Sequence, residues 1–370
     1  MFRYVAFRWN EKSASATETA RAFIRRLTAN SDLALQWRPA LALPGLEIHI
    51  AGTRGDTFQS YPLRANAGVV LGTLYERTTK TTGVCSHASF SQEDSARIVR
   101  SGGRELVQAY WGRYVAFVCN PERRRVSVLR DPTGCLPCYF TEYQGVYVIF
   151  SKLDTCTSLR LPNQGINWSY IERYVVCEMH HTDQTGLVGV AQLRAGECMN
   201  IDDGAISHRF YWNPLEVAAC DPIEDENVAV NAVREMTRSC VQTWAGGHSA
   251  IVLRLSGGLD SSIMAACLNS APTRPRVVGL NYFSSGSDTD EREYARIVAN
   301  RMSLDLIETP RNSQLRFNGI FDIVPEPEPT VYVGFLEYRQ PDKDLAAEKR
   351  ATAIYSRAEA ISSFIRHVRC

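Results

Sequence analysis

One seven-residue segment of the sequence brings together the residue types that bind a nucleotide phosphate. Residues 256–262 read Ser-Gly-Gly-Leu-Asp-Ser-Ser and follow an apolar, strand-like run at 250–255. Gly257 and Gly258 carry no side chain that would block a close approach, so their main-chain N–H groups can face phosphate oxygens. A helix that begins at Ser261 would add free N–H groups and the positive end of its dipole.

The side chains of this segment offer further ligands. Ser256, Ser261 and Ser262 can each donate a hydroxyl hydrogen bond to a phosphate oxygen. The carboxylate of Asp260 is repelled by phosphate unless a cation bridges the two, which implies Mg²⁺. A strand-to-helix turn capped by Asp or Ser is the structural alternative, but seven consecutive matching residues favour a nucleotide site. The sequence has no G-x-x-x-x-G-K-[ST] loop, which excludes the Walker-type ATPases and kinases.

Strands and helices alternate around this segment. The hydrophobic pattern predicts a helix over 261–269, a strand over 276–283, a helix over 288–302 and a strand over 304–307. Such alternation is typical of an α/β fold with a parallel sheet. A preceding helix ends at Gly246. Its apolar residues fall largely on one predicted core face: Val230, Val233, Cys240, Val241 and Trp244.

The first half of the chain has a different pattern. Short apolar runs separated by turn residues predict β-strands over 46–50, 69–74, 114–119, 126–129 and 146–150. Two helices are predicted, over 12–27 and over 92–110, the second capped by Ser91 and weakened by Gly102-Gly103. We therefore divide the chain into an α+β domain (1–213), a linker (214–226) and an α/β domain (227–370).

Composition narrows the class of protein. The 370 residues carry 41 Lys and Arg against 40 Asp and Glu, a net charge of +1, which argues against a nucleic-acid partner held by a basic surface. No apolar run approaches the roughly 20 residues that cross a bilayer. The opening residues alternate like a strand and lack the regions of a signal peptide. We therefore expect a soluble, cytoplasmic protein with neither a nucleic-acid nor a membrane partner.

The eleven cysteines do not form a disulfide framework, because their number is odd and they are scattered from Cys85 to Cys370. Cys135 and Cys138 have C-x-x-C spacing, which fits either a redox or zinc half-site or a turn with two incidental thiols. We favour the turn, because no second C-x-x-C or C-x-x-H pair completes a tetrahedral site. Cys177 with the histidines at 180–181 could contribute ligands only by folding near that turn.

Residues 256–262 resemble the pyrophosphatase-type loop (PP-loop) of the asparagine synthetase and β-lactam synthetase superfamily. Enzymes of that superfamily activate a carboxylate as an acyl-adenylate, release pyrophosphate and let an amine attack. The likeness continues through residues 278–280 and 287–295. It implies an adenine-nucleotide α-hydrolase-like domain that uses ATP and Mg²⁺, in which Asp260 holds the metal and Leu255 and Val278 contact adenine.

The first half resembles the glutamine amidotransferase-like sandwich domain of the same superfamily, through the R-D-P-x-G-x-x-P-x-Y turn at 130–139. Residues 1–4, 68–74 and 110–114 look most like the lasso peptide cyclases, which join a peptide's N-terminal amine to an Asp or Glu side chain. This resemblance implies two partners, a ribosomal precursor peptide and the leader peptidase that frees its amine. Glutamine hydrolysis in the family needs a cysteine at position 2, where this sequence has Phe2, so we expect no ammonia release.

The C-terminal end departs from the family pattern. Residues 353–356 look like the strand before a second glycine-rich motif, S-G-x-G-G-D, which then does not follow. A two-base shift in one back-translation of residues 358–364 gives Gly-Gly-Asp-Leu-Phe-Val, so we expect a frame slip and a truncated α/β domain. The alternatives are a non-catalytic remnant or nucleotide-binding scaffold, a glutamine-hydrolysing asparagine synthetase-like ligase, and a tRNA sulfurtransferase.

Two further features have no assigned chemistry. The Pro-Glu-Pro-Glu-Pro run at 325–329 fits an entrance loop near the active site or a stiff polyproline-like connector. Asp131 is expected to organise its turn rather than to act in catalysis.

Overall fold

The computed structural model of the chain describes residues 2–29, 36–52, 59–77, 84–162, 165–177, 182–202, 205–220, 222–284, 286, 290–311, 326–329, 336–356 and 366–367. These residues form two compact units. Unit 1 comprises the described residues up to Arg77, from His87 to Cys220, and 326–329, and unit 2 comprises the others. Two short described segments, 84–86 and 326–329, thus belong to a different unit from the residues on either side of them in the sequence. Dividing the chain into consecutive domains cannot describe this arrangement.

The described part of unit 1 forms twelve strands: β1 (Arg3–Trp9), β2 (Arg38–Leu43), β3 (Leu46–Ala51), β4 (Gln59–Pro62), β5 (Gly68–Glu76), β6 (Tyr110–Asn120), β7 (Arg125–Arg130), β8 (Tyr139–Tyr143), β9 (Val146–Phe150), β10 (Ala191–Gln192), β11 (Glu197–Ile201) and β12 (Ile206–Phe210). They make two antiparallel sheets, ordered β10-β8-β9-β1-β3-β2 and β12-β11-β7-β6-β5-β4. The five strands predicted for this half are all present.

The two sheets pack face to face over one shared core. Apolar side chains of β1 and β3 from the first sheet meet those of β5, β6 and β7 from the second. Tyr4 and Phe117, both fully buried, make an edge-to-face contact across the sandwich with ring centroids 6.1 Å apart. The predicted α+β sandwich is therefore confirmed.

The helices and one 3₁₀ turn of unit 1 are α1 (Ala14–Ala29), the 3₁₀ turn (Arg64–Asn66), α2 (Gln92–Arg100), α3 (Arg104–Ala109), α4 (Asp154–Ser158), α5 (Trp168–Cys177) and α6 (Pro214–Ala219). α1 covers the outer face of the first sheet, and α2 with α3 covers that of the second. Ser91 forms the predicted cap, as a capping box with Asp94. The single helix predicted over 92–110 is wrong, because the chain breaks it at Gly102-Gly103.

The described part of unit 2 is formed by α7 (Glu226–Ala245), β13 (Ala250–Arg254), α8 (Leu259–Asn269), β14 (Arg276–Phe283), α9 (Arg292–Met302), β15 (Asp305–Pro310), α10 (Leu336–Glu348), β16 (Ala353–Tyr355) and β17 (Arg366–His367). The sheet order is β15-β14-β13-β16-β17. The first four strands are parallel and β17 is antiparallel to β16, so the predicted α/β alternation with a parallel sheet is confirmed.

The predicted core face of α7 is only half correct. Val241 is fully buried and Trp244 is 8% exposed, but Val233 is 66% and Val230 47% exposed. The last turns of α7 lie against α8, where Gln242 Nε2 donates a hydrogen bond to the carbonyl of Cys267. The N-terminal turns of α7 extend beyond this contact. Hydrophobic periodicity alone therefore predicts more buried residues on α7 than the structure has. No helix among the residues that the structure describes is long and apolar enough to cross a membrane.

This difference along α7 predicts unequal costs for the same substitution. Val241→Ala should lower the free energy of unfolding by about 2 kcal/mol, because it removes two buried methyl groups and leaves a cavity. Val233→Ala should change it by less than about 0.5 kcal/mol, because the side chain is largely in solvent. Urea unfolding of both variants measures the difference, and equal costs would contradict the burial described for α7.

Candidate functional site

The Ser-Gly-Gly-Leu-Asp-Ser-Ser segment connects β13 to α8 at the carboxyl edge of the parallel sheet. This edge is where open α/β sheets bind their ligands. Gly258 is the N-cap of α8, which begins at Leu259 rather than at the predicted Ser261. Asp260 therefore lies in the first turn of the helix instead of preceding it. The main-chain N–H groups of this turn point out of the helix N-terminus, as the predicted phosphate contact requires.

The outer face of this turn is open to solvent. Gly258 and Asp260 are exposed, and Leu259 is 75% exposed although it is apolar. The segment is therefore not sealed in the core, which would have excluded a nucleotide. The geometry agrees with a phosphate cradle, and the role of these residues in nucleotide binding stays a prediction.

The three serine hydroxyl groups brace the loop. Ser256 Oγ accepts a hydrogen bond from the Gly258 N–H at 3.2 Å and lies 3.2 Å from Ser261 Oγ. Ser262 Oγ donates to the carbonyl of Gly258 at 2.8 Å. These bonds explain why small hydroxyl residues recur here, since they hold the turn in shape whether or not they also contact phosphate.

Gly257 is a glycine because of α9. Its φ is +85°, and a Cβ on it would lie 2.4 Å from the main-chain carbon of Tyr294 and 2.5 Å from the nitrogen of Ala295. The close approach that requires glycine at 257 is therefore to the backbone of α9, whereas the sequence predicts a close approach to phosphate. Gly258 is different, because the closest atom to its Cβ position is Ser256 Oγ at 3.3 Å.

The two residues predicted to contact adenine are enclosed by the sheet. The side chains of Leu255 and Val278 are 1% and 2% exposed. The N–H of Leu255 donates to the carbonyl of Leu280 at 2.9 Å, and its carbonyl accepts from Asn281 Nδ2 at 2.8 Å. The adenine contact stays a prediction, and at these two positions the main chain is buried as well as the side chain.

Asp260 is compatible with a nucleotide-bound Mg²⁺. The part of the chain that the structure describes contains no cluster of three or more His, Cys, Asp or Glu residues arranged to hold a metal. Mg²⁺ bound with a nucleotide needs only one or two carboxylates, because phosphates and water fill its other positions. The exposed carboxylate of Asp260, beside the N–H groups of the first turn of α8, fits that requirement. Asp288, in the segment predicted to open α9, lies outside the described residues.

A charged and aromatic cluster beside the loop was missed by the sequence analysis. Arg254, the last residue of β13, forms an ion pair with Asp342 of α10. Its guanidinium lies over the ring of Tyr338, 4.9 Å from the centroid, and Tyr282 OH donates to Asp342 at 2.8 Å. Burial raises the pKa of the Tyr282 phenol, which therefore stays a hydrogen-bond donor. An arginine that ends an otherwise apolar strand was the feature in the sequence that pointed to this cluster.

The candidate features of unit 1 are structural. Asp131 accepts hydrogen bonds from the N–H groups of Thr133 and Tyr114, so it organises its turn as predicted. Burial raises the pKa of the Cys135 thiol to about 12 and that of Cys138 to about 11, so neither is a thiolate at neutral pH. This agrees with a turn that carries two incidental thiols. The histidines at 180–181 lie outside the described residues.

Two family models match separate parts of the chain. Residues 86–212 match the model of the glutamine amidotransferase domain family, and residues 232–324 match that of the asparagine synthase family. The carboxyethyl-arginine beta-lactam-synthase of Streptomyces clavuligerus is 38% identical over 242 residues, which are 63% of this chain and 42% of that protein. The chain thus spans less than half of that relative's length. Along the chain, the residues that match the amidotransferase family model precede those that match the asparagine synthase family model.

The solved structures that resemble the chain are distant. An NH3-dependent NAD synthetase from Campylobacter jejuni shares 20% identity with a TM-score of 0.25, covering 34% of this chain and 55% of that one. The glutamine phosphoribosylpyrophosphate amidotransferase of B. subtilis shares 10% identity with a TM-score of 0.33, covering 95% and 80%.

The two glycines of the loop should respond differently to the same substitution. Gly257→Ala should lower the free energy of unfolding of unit 2 by at least about 2 kcal/mol, because it adds a clash with α9 to an unfavourable positive φ. Gly258→Ala should cost less than about 1 kcal/mol, because its extended backbone accepts a Cβ. Thermal and denaturant unfolding of both variants measures the difference. A larger cost at Gly258 would contradict the contact described for Gly257.

Proposed function

We propose that this protein forms an amide bond at the expense of ATP. One observation carries the proposal: an exposed Ser-Gly-Gly-Leu-Asp-Ser-Ser turn leads from a parallel strand into a helix N-terminus, within the region that matches the asparagine synthase family. In the proposed reaction a carboxylate oxygen attacks the α-phosphorus, the bond to the β-phosphate breaks and pyrophosphate leaves. An amine nitrogen then attacks the acyl carbon and loses a proton, and AMP leaves with the former carboxylate oxygen.

The chain's own residues would stabilise the leaving pyrophosphate. The N–H groups of Leu259 to Ser261 and the dipole of α8 would face the phosphate oxygens on which negative charge develops. Ser256 and Ser262 would hold this turn in shape through the hydrogen bonds described above. Asp260 would hold Mg²⁺, which would neutralise part of the phosphate charge.

We infer that the amine and the carboxylate belong to one molecule. The name of the Streptomyces clavuligerus relative denotes closure of a lactam, which is an intramolecular amide. The resemblance of residues 68–74 and 110–114 to lasso peptide cyclases favours a ribosomal precursor peptide as substrate. Its N-terminal amine, freed by a leader peptidase, would attack an adenylated Asp or Glu side chain and give a macrolactam. A small amino acid that closes to a lactam is the second candidate, favoured by the 38% identity.

We also infer that unit 1 does not hydrolyse glutamine. In the family this reaction needs a nucleophilic cysteine at position 2, where this sequence has Phe2. The Phe2 side chain is 7% exposed and belongs to the core between the sheets. A buried aromatic ring at this position agrees with an amine that comes from the substrate rather than from glutamine.

The metal role of Asp260 can be tested by ATP binding. Asp260→Asn should lower the affinity for ATP in the presence of Mg²⁺ about tenfold or more, because the metal loses its carboxylate ligand. Isothermal titration with and without Mg²⁺ measures this. Glu226→Gln is the matched control, because it removes the same charge from the first turn of another helix, α7, at an exposed position. Equal affinity of all three chains, or binding that ignores Mg²⁺, would contradict the proposed site.

The substrate class can be tested by pyrophosphate release. With ATP and Mg²⁺, a peptide that has a free N-terminal amine and an internal Asp or Glu should give pyrophosphate, AMP and a product lighter by one water. An N-acetylated peptide should give no cyclic product. Turnover of a small amino acid instead of the peptide would favour the lactam alternative, and release from neither would contradict amide-bond formation by this chain.

A further inference from the structure

Residues 326–329 of the acidic Pro-Glu-Pro-Glu-Pro run lie in a groove of unit 1 that is lined by hydrogen-bond donors. Lys152 Nζ donates to Glu326 Oε1 at 2.5 Å, and Gln192 Nε2 donates to Glu328 Oε1 at 2.6 Å. The hydroxyl of Tyr170 lies 3.4 Å from the same Glu328 oxygen. The backbone takes part as well, since the N–H of Gly186 donates to the carbonyl of Pro327 at 2.8 Å. We call Lys152, Tyr170, Gly186 and Gln192 the donor groove.

The donors of these contacts are buried, whereas the Glu326 side chain is 39% exposed. The side chain of Lys152 is only 9% exposed, Gln192 is 6% and Tyr170 is 1% exposed. Pro327 is itself buried. An ammonium group at such a site needs a partner anion, because an unpaired buried charge is strongly unfavourable. The groove therefore requires a carboxylate at the position that Glu326 occupies.

The spacing of the two glutamates matches the groove. Glu326 and Glu328 are two residues apart, and the chain bends at Pro327 and Glu328, so that both carboxylates face the donors at once. Proline on either side of each glutamate restricts the backbone, which reduces the entropy lost on binding. The bends at Pro327 and Glu328 differ from the straight path of a polyproline-like connector, and the entrance loop stays a prediction. Pro325 lies outside the described residues.

We propose that the donor groove is a specific binding site for an acidic peptide with two glutamates separated by one proline, and that residues 326–329 are its resident ligand. The described residues before this segment, in β15, and after it, in α10, belong to unit 2. Residues 326–329 are thus held in unit 1 by the groove, although the described residues on both sides of them belong to unit 2. This site is independent of ATP and of the proposed function.

The exchange of one amide proton reports directly on occupation of the groove. The Gly186 N–H is protected by the carbonyl of Pro327, so release of the segment exposes it. The experiment compares its exchange rate in the full chain and in the double variant Glu326→Gln, Glu328→Gln, which leaves the groove unchanged. Asp202→Asn is the matched control, because it removes a carboxylate that pairs with Arg125 on the other sheet of unit 1. The Cys119 amide, bonded to Ala67 in the sandwich, is the internal reference.

We expect the double variant to raise the Gly186 exchange rate at least tenfold, with the Cys119 rate unchanged and no effect of Asp202→Asn. Millimolar acetyl-Pro-Glu-Pro-Glu-Pro-Thr-amide should restore the protection, and its Gln counterpart should not. Unchanged Gly186 exchange in the double variant, failure of the acidic peptide to restore it, or equal rescue by both peptides would overturn the proposal. If the Cys119 rate rises too, the single variant Glu326→Gln repeats the test, and the proposal then requires the Gly186 rate to rise alone.

Discussion

The close contact between Gly257 and α9 is the constraint on which the candidate site depends. The chain leaves β13 and turns against the backbone of Tyr294 and Ala295, where a single Cβ would bring atoms within 2.4–2.5 Å. Because this turn takes φ = +85° and carries no side chain, α8 can begin two residues later. The same geometry leaves Asp260 exposed while Ser261 is buried against its own loop. The position of the helix N-terminus, and with it the direction of the N–H groups, therefore depends on packing against α9.

The elements around this contact could be predicted because local sequence determines them. The predicted strand over 276–283 coincides with β14, whose apolar run is flanked by charged or polar residues and is buried in the middle of the sheet. Alternation of strands and helices was enough to predict parallel pairing. The small hydroxyl residues of the loop are required by its own hydrogen bonds, which involve residues at most five apart. Gly257, in contrast, is required by the distant contact with α9.

The remaining features depend on residues that are distant in the sequence. Arg254 and Asp342 are 88 residues apart, and Lys152 and Glu326 are 174 apart, so no local pattern links either pair. The exposure of the first half of α7 could not be predicted for the same reason. Periodicity shows which face of a helix is apolar, but it does not show how far along the helix a packing partner extends. Predicting these features requires knowing which elements meet, and that information is in the tertiary packing.

The residues that suggested a subfamily also have a structural explanation. Gly72 and Gly112, in two of the segments that resemble the lasso peptide cyclases, face each other's strands in the β5–β6 pair. A Cβ at either position would lie 2.1–2.2 Å from a main-chain oxygen of the other strand. Any chain with this strand pairing needs glycine at these two positions, so the two glycines are evidence for the fold and not for the substrate. The support of the two segments for a peptide substrate therefore rests on their other residues. Arg254 and Tyr338 lie outside these segments, and α10, which supplies Tyr338, contributed nothing to the resemblance.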